Sequence, residues 1–269
     1  MISPFTVHAT GLKFPEGPVF DAKGRLWCVE IEAGCVTMVD TDSLTYRIPT
    51  GGKPNGLALA HDGQIWACDQ EKGLLSIDLD ARDVTVIASH VNGKLLDRPN
   101  DVALDPAGRI IFTCPGSSRE KPEGEIWSYA EGKVEPVHSA LQFPNGLVFL
   151  ENGCVLVVAE TYRQRLWRGD WDGTIGKWVN PAPWLEVGGP VGPDGLCLSP
   201  EGYVLAAIFG AGCISVVSSS GKLVGRILTP GSKPSNLCFS PDGRFLYVTE
   251  VETGCILKAP WPLLLEGIV

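Results

Sequence analysis

Residues 15–30 read PEGPVFDAKGRLWCVE, and variants of that phrase return five times. They are PNGLALAHDGQIWACD from Pro54, PNDVALDPAGRIIFTC from Pro99, PNGLVFLENGCVLVVAE from Pro144, PDGLCLSPEGYVLAAIF from Pro193 and PSNLCFSPDGRFLYVTE from Pro234. Successive prolines are 39, 45, 45, 49 and 41 residues apart. Self-similarity at about 40–50 residues marks a propeller or another repeat array. Each unit opens on a short apolar run that ends in a turn: DAKG, HDG, DPAG, ENG, SPEG or SPDG. Asp/Asn-Gly and Pro-x-Gly supply the backbone angles a hairpin needs. A second run rich in Trp, Ile, Val and Phe follows, as strands prefer.

A third run comes next in each unit (GCVTMVD, GLLSIDL, GEIWSYA, RLWRGD, GCISVV, GCILKA). A weaker fourth run (TYRI, VTVI, VEPV, LVGRIL) leads to the next proline. Four antiparallel strands in each of six units predict an all-β, six-bladed β-propeller, expected to be a single domain over residues 1–269. The last unit lacks an obvious fourth strand after Lys258, while FTVHAT (5–10) stands alone before the first. Residues 5–10 are therefore expected to supply the outer strand of the last blade, which closes the ring and removes an unpaired edge. No long stretch has a 3.6-residue period, so helix should be nearly absent.

In such blades the first strand lines the central shaft. The residue after each proline then stands where six inner strands converge: Glu16, Asn55, Asn100, Asn145, Asp194 and Ser235. All six carry a side-chain oxygen. Asn and Asp also favour strand starts and turns for backbone reasons, but six in register, two of them acidic, weigh against that explanation. Two carboxylates crowded on one axis repel each other unless a cation lies between them. Carboxylate and amide oxygens suit a hard divalent ion, Ca²⁺ first, with Mg²⁺, Mn²⁺ or Zn²⁺ as alternatives.

The chain of 269 residues carries a net charge of −9, with 44% hydrophobic and 20% charged residues. That is globular composition. Its acidity argues against nucleic acid or an anionic membrane as partner. The N-terminus has no signal-peptide pattern and no apolar run reaches bilayer length, so a cytoplasmic location is expected. Of nine Cys, an odd number without a CxxC pair, Cys28, Cys35, Cys68, Cys197, Cys213, Cys238 and Cys255 lie in apolar strand-like runs and read as buried reduced thiols, with Cys114 before PGSS the one worth watching. No G-x-S-x-G is present, and His8, His61, His90 and His138 lie away from the repeat starts, so a nucleophilic triad is not expected. No WD dipeptide recurs from blade to blade.

FPEGPVF, RPNDVALDPAGRIIF, FPNGLVF and GPDGLCL together resemble the family of gluconolactonases, senescence marker protein (regucalcin) and luciferin-regenerating enzyme over residues 5–260. The resemblance implies one catalytic divalent metal and hydrolysis of a lactone, such as gluconolactone, or a related cyclic ester by metal-activated water. Carried over by position, Glu16, Asn145 and Asp194 are the metal ligands. Asn100 lies beside the ion and contacts substrate or a bound water, and Arg98 binds polar groups of a sugar lactone. Asp194 or Glu16 takes the water's proton. Organophosphate-hydrolysing propellers use a similar oxygen set with Ca²⁺, so the same site also allows a phosphotriesterase. A non-enzymatic metal-binding propeller is a third reading.

Ends of the second strands are expected on the same face, bringing Glu30, Asp69, Cys114, Glu160, Phe209 and Glu250 near the rim. The segment PGSSREKPEGE (115–125) reads as a mobile lid or a solvated loop, with Glu120, Glu123 and Glu125 as candidates for a second substrate-binding acid. Tyr162 and Arg163 follow a strand end and either could meet substrate. Trp27, Trp66 and Trp127 are expected to pack between blades.

Overall fold

The computed structural model describes residues 3–40 and 46–266. Six four-stranded antiparallel sheets follow one another around a ring. The first consists of Pro15–Phe20, Leu26–Glu30, Cys35–Val39 and Tyr46–Pro49, ordered from hub to rim. The next four occupy residues 54–88, 102–141, 144–186 and 192–228. The last is built from Pro234–Phe239, Phe245–Glu250, Cys255–Pro260 and, at its rim, Thr6–Thr10. Thr6 lies opposite Lys258 and Thr10 opposite Cys255, so the chain's beginning closes the ring as its isolated apolar run foretold. Thr45, the first letter of the run TYRI, lies outside the described residues. A short α-helix, Trp261–Glu266, follows the last strand, and its Trp261 indole donates to Glu201 at 2.7 Å.

The apolar residues divide into six clusters, one for each seam between neighbouring blades. Trp27, Val29 and Val36 of the first blade pack on Leu57, Ile65 and Leu75 of the second. Leu26 and Cys28 meet Tyr247 and Ile256 across the closing seam. Both faces of a central strand are covered in this arrangement, which explains the near-continuous apolar runs IIFTC and VLVVA. Trp66 and Trp127 flank the seam between the second and third blades. Cys114, expected at a strand end, is fully packed there, and burial pushes its thiol well above the ordinary range.

Five of the six inner strands share one irregularity, the third starting its ladder only at Val102. Pairing with the second strand slips just after the proline, between Glu16 and Val19, Pro54 and Leu57, Pro144 and Leu147, Pro193 and Leu196, and Pro234 and Asn236. Such bulges re-aim a side chain and break the alternation of faces. They accompany Glu16, Asn55, Asn145 and Asp194 at the hub. They also leave the following position against the next blade, where four of six repeats carry glycine. A Cβ on Gly17 would strike the backbone of Asn55 and Leu57, and one on Gly146 the backbone of Asp194 and Leu196. Glycine there lets adjacent inner strands approach closely enough to close a narrow ring.

Candidate metal centre and active site

Two of the six repeats replace that glycine, with Asp101 in the third blade and Asn236 in the sixth. These blades face each other across the hub. The Asn236 side chain lies against both Asp101 and Glu16 and favours the charged form of each, bridging the shaft one residue deeper than the oxygen ring. Gly56 and Gly195 make room for the pair: a Cβ on Gly56 would meet Asp101, and one on Gly195 would overlap the Asn236 amide. The repeats displayed this signal, since Asp101 and Asn236 are the two departures from glycine in an otherwise constant column.

Above this bridge lies a cavity of about 410 Å³, lined by Glu16, Asn55, Asn100, Asn145 and Asp194. Five of the six residues after the prolines therefore meet as expected. Ser235 does not join them. Its hydroxyl is fully buried and donates to the Pro15 carbonyl at 2.9 Å, tying the last blade to the first. Glu16, Asn55, Asn100 and Asn145 are buried; Asp194 is partly open to the cavity. The Asn145 amide donates to Asp194 Oδ1 at 2.5 Å and to Thr161 Oγ1 at 3.2 Å. The Thr161 hydroxyl in turn donates to the Pro193 carbonyl at 2.8 Å, locking neighbouring blades together beside the site. Thr113 donates to the Asn145 carbonyl at 3.0 Å from the other side.

The electrostatics ask for a cation. Burial, then the charges of Asp194 and Asp101, push the Glu16 carboxyl well above the ordinary range, against the pull of a hydrogen bond from the Gly17 N–H and of the Asn236 side chain. Burial raises Asp194 to about 8, even though Asn145 donates to it. Asp101, also buried, is raised to about 7. Among the described residues no Lys or Arg pairs with any of the three; the ion pairs lie elsewhere. Nor do three His, Cys, Asp or Glu side chains cluster around a metal position among those residues. Amides must then complete any ligand set, as they do in this ring. Two crowded carboxylates with amide oxygens beside them fit one hard dication in charge and donor type.

A second ring surrounds the first. Phe14, Lys53, Arg98 and Phe143, the residues before four of the prolines, also line the cavity. Phe14, Arg98 and Phe143 hold φ of 56°, 53° and 64°. A non-glycine residue in this left-handed region costs about 1–3 kcal/mol, and a following proline restricts it further. The strain turns three large side chains into the mouth. Phe14 stacks near Phe209 with ring centroids 6.5 Å apart, forming one apolar wall. Phe143 meets Tyr162 edge to face at 5.2 Å, forming another. Arg119 lies over both of those rings, 5.8 Å from Phe143 and 5.7 Å from Tyr162.

Arg98, Asn100 and Tyr162 thus sit in the cavity wall, whereas Arg163 and Glu120 do not. From the 115–125 loop the wall receives Pro115, Gly116 and Arg119. Glu125 instead accepts a bond from the Trp127 indole at 3.2 Å. The acids at the ends of the second strands are also placed differently from expectation. Of the six residues predicted at the rim, Phe209 alone lines the cavity. Glu30, Asp69, Glu160 and Glu250 are buried fasteners between strands. Glu30 accepts from the Lys13 N–H, Thr37 and Arg47; Glu160 accepts from the Gln142 N–H, Arg165 and Trp167. Asp69 and Glu250 gather the N–H groups of Lys53 and Lys233 in the same way. The carboxylate recurs because it satisfies a turn's orphan donors, not because it faces the mouth.

The SMP-30/gluconolactonase/LRE-like region model matches residues 14–252. Diisopropyl-fluorophosphatase of Loligo vulgaris is 29% identical, covering 96% of this chain and 92% of its own length. Gluconolactonase of Zymomonas mobilis is 23% identical, covering 92% of this chain and 79% of its own length. The crystal structure of a calcium-binding protein, regucalcin, from Agrobacterium tumefaciens superposes with a TM-score of 0.84 at 22% identity, over 94% of this chain and 92% of that one, and shows the same fold. Repeat, propeller and family model agree: the chain belongs to the SMP-30/gluconolactonase/LRE-like family.

Proposed function

We propose that this protein is a divalent-metal-dependent hydrolase that opens lactones. The observation that carries the reading is the convergence of two mutually repelling carboxylates, buried Glu16 and partly open Asp194, with the amides of Asn145 and Asn100 in one cavity, neither carboxylate being in an ion pair among the described residues. Lactonases among the relatives support the substrate class. Glu16, Asn145 and Asp194 would hold the ion, with Asn100 beside them, and the hard oxygen set favours Ca²⁺. When bound, the ion supplies a Lewis acid that polarises the ester carbonyl and eases ionisation of the attacking water.

The chain's own residues do the rest. Asp194 Oδ1 is occupied by the Asn145 amide, which leaves Oδ2 to accept the proton of the attacking water. Glu16 is more deeply buried, with Oε2 engaged by the Gly17 N–H at 2.8 Å, so it serves as ligand and Asp194 as base. Arg98 and Asn100 orient the substrate and donate toward the developing oxyanion; one such donor contributes about 3 kcal/mol to the transition state. Phe14, Phe209, Phe143 and Tyr162 exclude water from the flanks of the ring. The test is metal analysis of the purified protein, then a lactone panel before and after exhaustive chelation. Lactone turnover that survives complete metal removal would rule the reading out.

A second reading is favoured by the relative named diisopropyl-fluorophosphatase, which aligns over nearly the whole chain. A phosphoryl oxygen would meet the same donors as a carbonyl. A panel holding both ester classes separates the two by their kcat/KM. Asp194→Ala separates either from a non-enzymatic metal-binding propeller: activity lost with the fold intact excludes the latter.

A further inference from the structure

Arg98 and Arg119 both line the cavity, and among the described residues neither side chain has a carboxylate partner or a hydrogen bond. Of the nine other arginines, Arg25, Arg47, Arg109, Arg165 and Arg168 each sit on an acid, while Arg82, Arg163, Arg226 and Arg244 form no ion pair among the described residues and lie outside the cavity wall. In a chain of net charge −9, two uncompensated guanidinium groups at one mouth stand against the background. Lys53 and Glu32 also reach this wall, and Lys53 is engaged by Glu71 at 3.1 Å.

Arg119 is held in place. Its carbonyl accepts the Gln142 amide at 2.5 Å, and the neighbouring Ser118 hydroxyl donates to Pro115 and accepts the Phe143 N–H at 3.0 Å. Phe143 and Tyr162 support the guanidinium face while its N–H edge stays free. A pre-positioned planar fork suits bidentate binding of a carboxylate or phosphate, and loses little freedom on doing so. A neutral polyol would draw instead on acceptors such as Glu32 and Gln70, while the acids of the 115–125 loop stand outside the wall and leave the Arg119 edge to an anion.

We propose that the substrate carries an anionic group, carboxylate or phosphate, remote from its ring ester, and that Arg119 grips that group. The inference rests on the lactone reading above and narrows it to acidic lactones. It is tested by comparing glucono-δ-lactone, its 6-phosphate and a glucaro-lactone on the metal-loaded protein and on Arg119→Met and Arg119→Lys. One of the two anionic lactones should exceed the neutral one in kcat/KM by about tenfold or more, and which one does so identifies the anion. Arg119→Met should erase that ratio mainly through KM, Arg119→Lys should keep part of it, and added salt should erode it. Calorimetry with D-glucarate and inorganic phosphate, free of any turnover, should show binding weakened by Arg119→Met. Equal or better use of the neutral lactone, or a ratio untouched by Arg119→Met, overturns the proposal. If no lactone of any charge is hydrolysed but the anions still bind through Arg119, the lactonase reading fails and the anion site stands.

Discussion

Without a bound ion the protein should lose stability as pH rises from mildly acidic to mildly basic, the reverse of ordinary acid denaturation. Asp194 is protonated in the fold up to about pH 8, whereas in the unfolded chain it ionises near 3.8. The folded state therefore binds more protons across that window. Its stability falls with pH from the lower value and levels off above the higher one. Each pH unit costs about 1.4 kcal/mol per such carboxyl. For a chain of this size that is about 3–5 °C of Tm per unit. Glu16 adds to the slope with the same sign, and so does Asp101 up to about 7. Asp21 and Glu30 act oppositely: despite burial, hydrogen bonds from Arg25, Trp27, Arg47 and Thr37 hold them low, so their contribution disappears only as pH falls below the carboxylate range. Metal-free melting curves should thus peak in the mildly acidic range. Saturating Ca²⁺ should flatten the descent, because the ion binds the ionised carboxylates, and should raise Tm most at the basic end. Scanning calorimetry in chelator and in excess Ca²⁺, from about pH 5 to pH 8.5, measures both curves. A metal-free Tm that is flat or rising over that range, or an ion effect equal at both ends, refutes the reasoning. Glu16→Gln with Asp194→Asn should leave only the shallow slope of Asp101.

Asp194→Ala should abolish tight binding of the dication, read by equilibrium dialysis, and with it hydrolysis, while far-ultraviolet circular dichroism stays unchanged. Gly195→Ala should displace the Asn236 amide, which its Cβ would overlap, and cost about 1–3 kcal/mol by denaturant titration together with weaker ion binding. Glu30→Ala should cost about 2–4 kcal/mol, since the Lys13 N–H, Thr37 and Arg47 lose their acceptor, yet leave the pH dependence of turnover in place. Removing residues 1–10 should expose the edge of Cys255–Pro260 and drive association, detectable by light scattering.

The propeller was legible because its signals are local and repeated: a proline, a short apolar run, an Asx-Gly or Pro-x-Gly turn, and a second apolar strand. Even the ring closure followed from counting, with one orphan run before the first blade and one missing after the last. The oxygen ring was legible in register, but Ser235 shows where register stops. A hydroxyl is short enough to turn back onto the Pro15 carbonyl, while Asn and Asp reach the axis. Glu30, Asp69, Glu160 and Glu250 were misplaced because strand order locates a residue on a face without saying which donors surround it. Arg119 was missed for a related reason. Its place depends on where a loop folds back over Phe143 and Tyr162, and nothing in SSREK encodes that contact.

The sixth blade is stitched from both extremes of the chain: the Thr6 hydroxyl reaches the carbonyl of Lys258, 252 positions away. A partner so distant in sequence makes the last seam the costliest to form, since loop closure and slow folding both grow with such separation. Glu16 belongs to the blade on one side of that seam, and Asn236, which steadies it, to the other. On a ribosome, therefore, the hub stays unfinished until the final blade has emerged. Any ion held there would be captured only late, as the whole toroid completes.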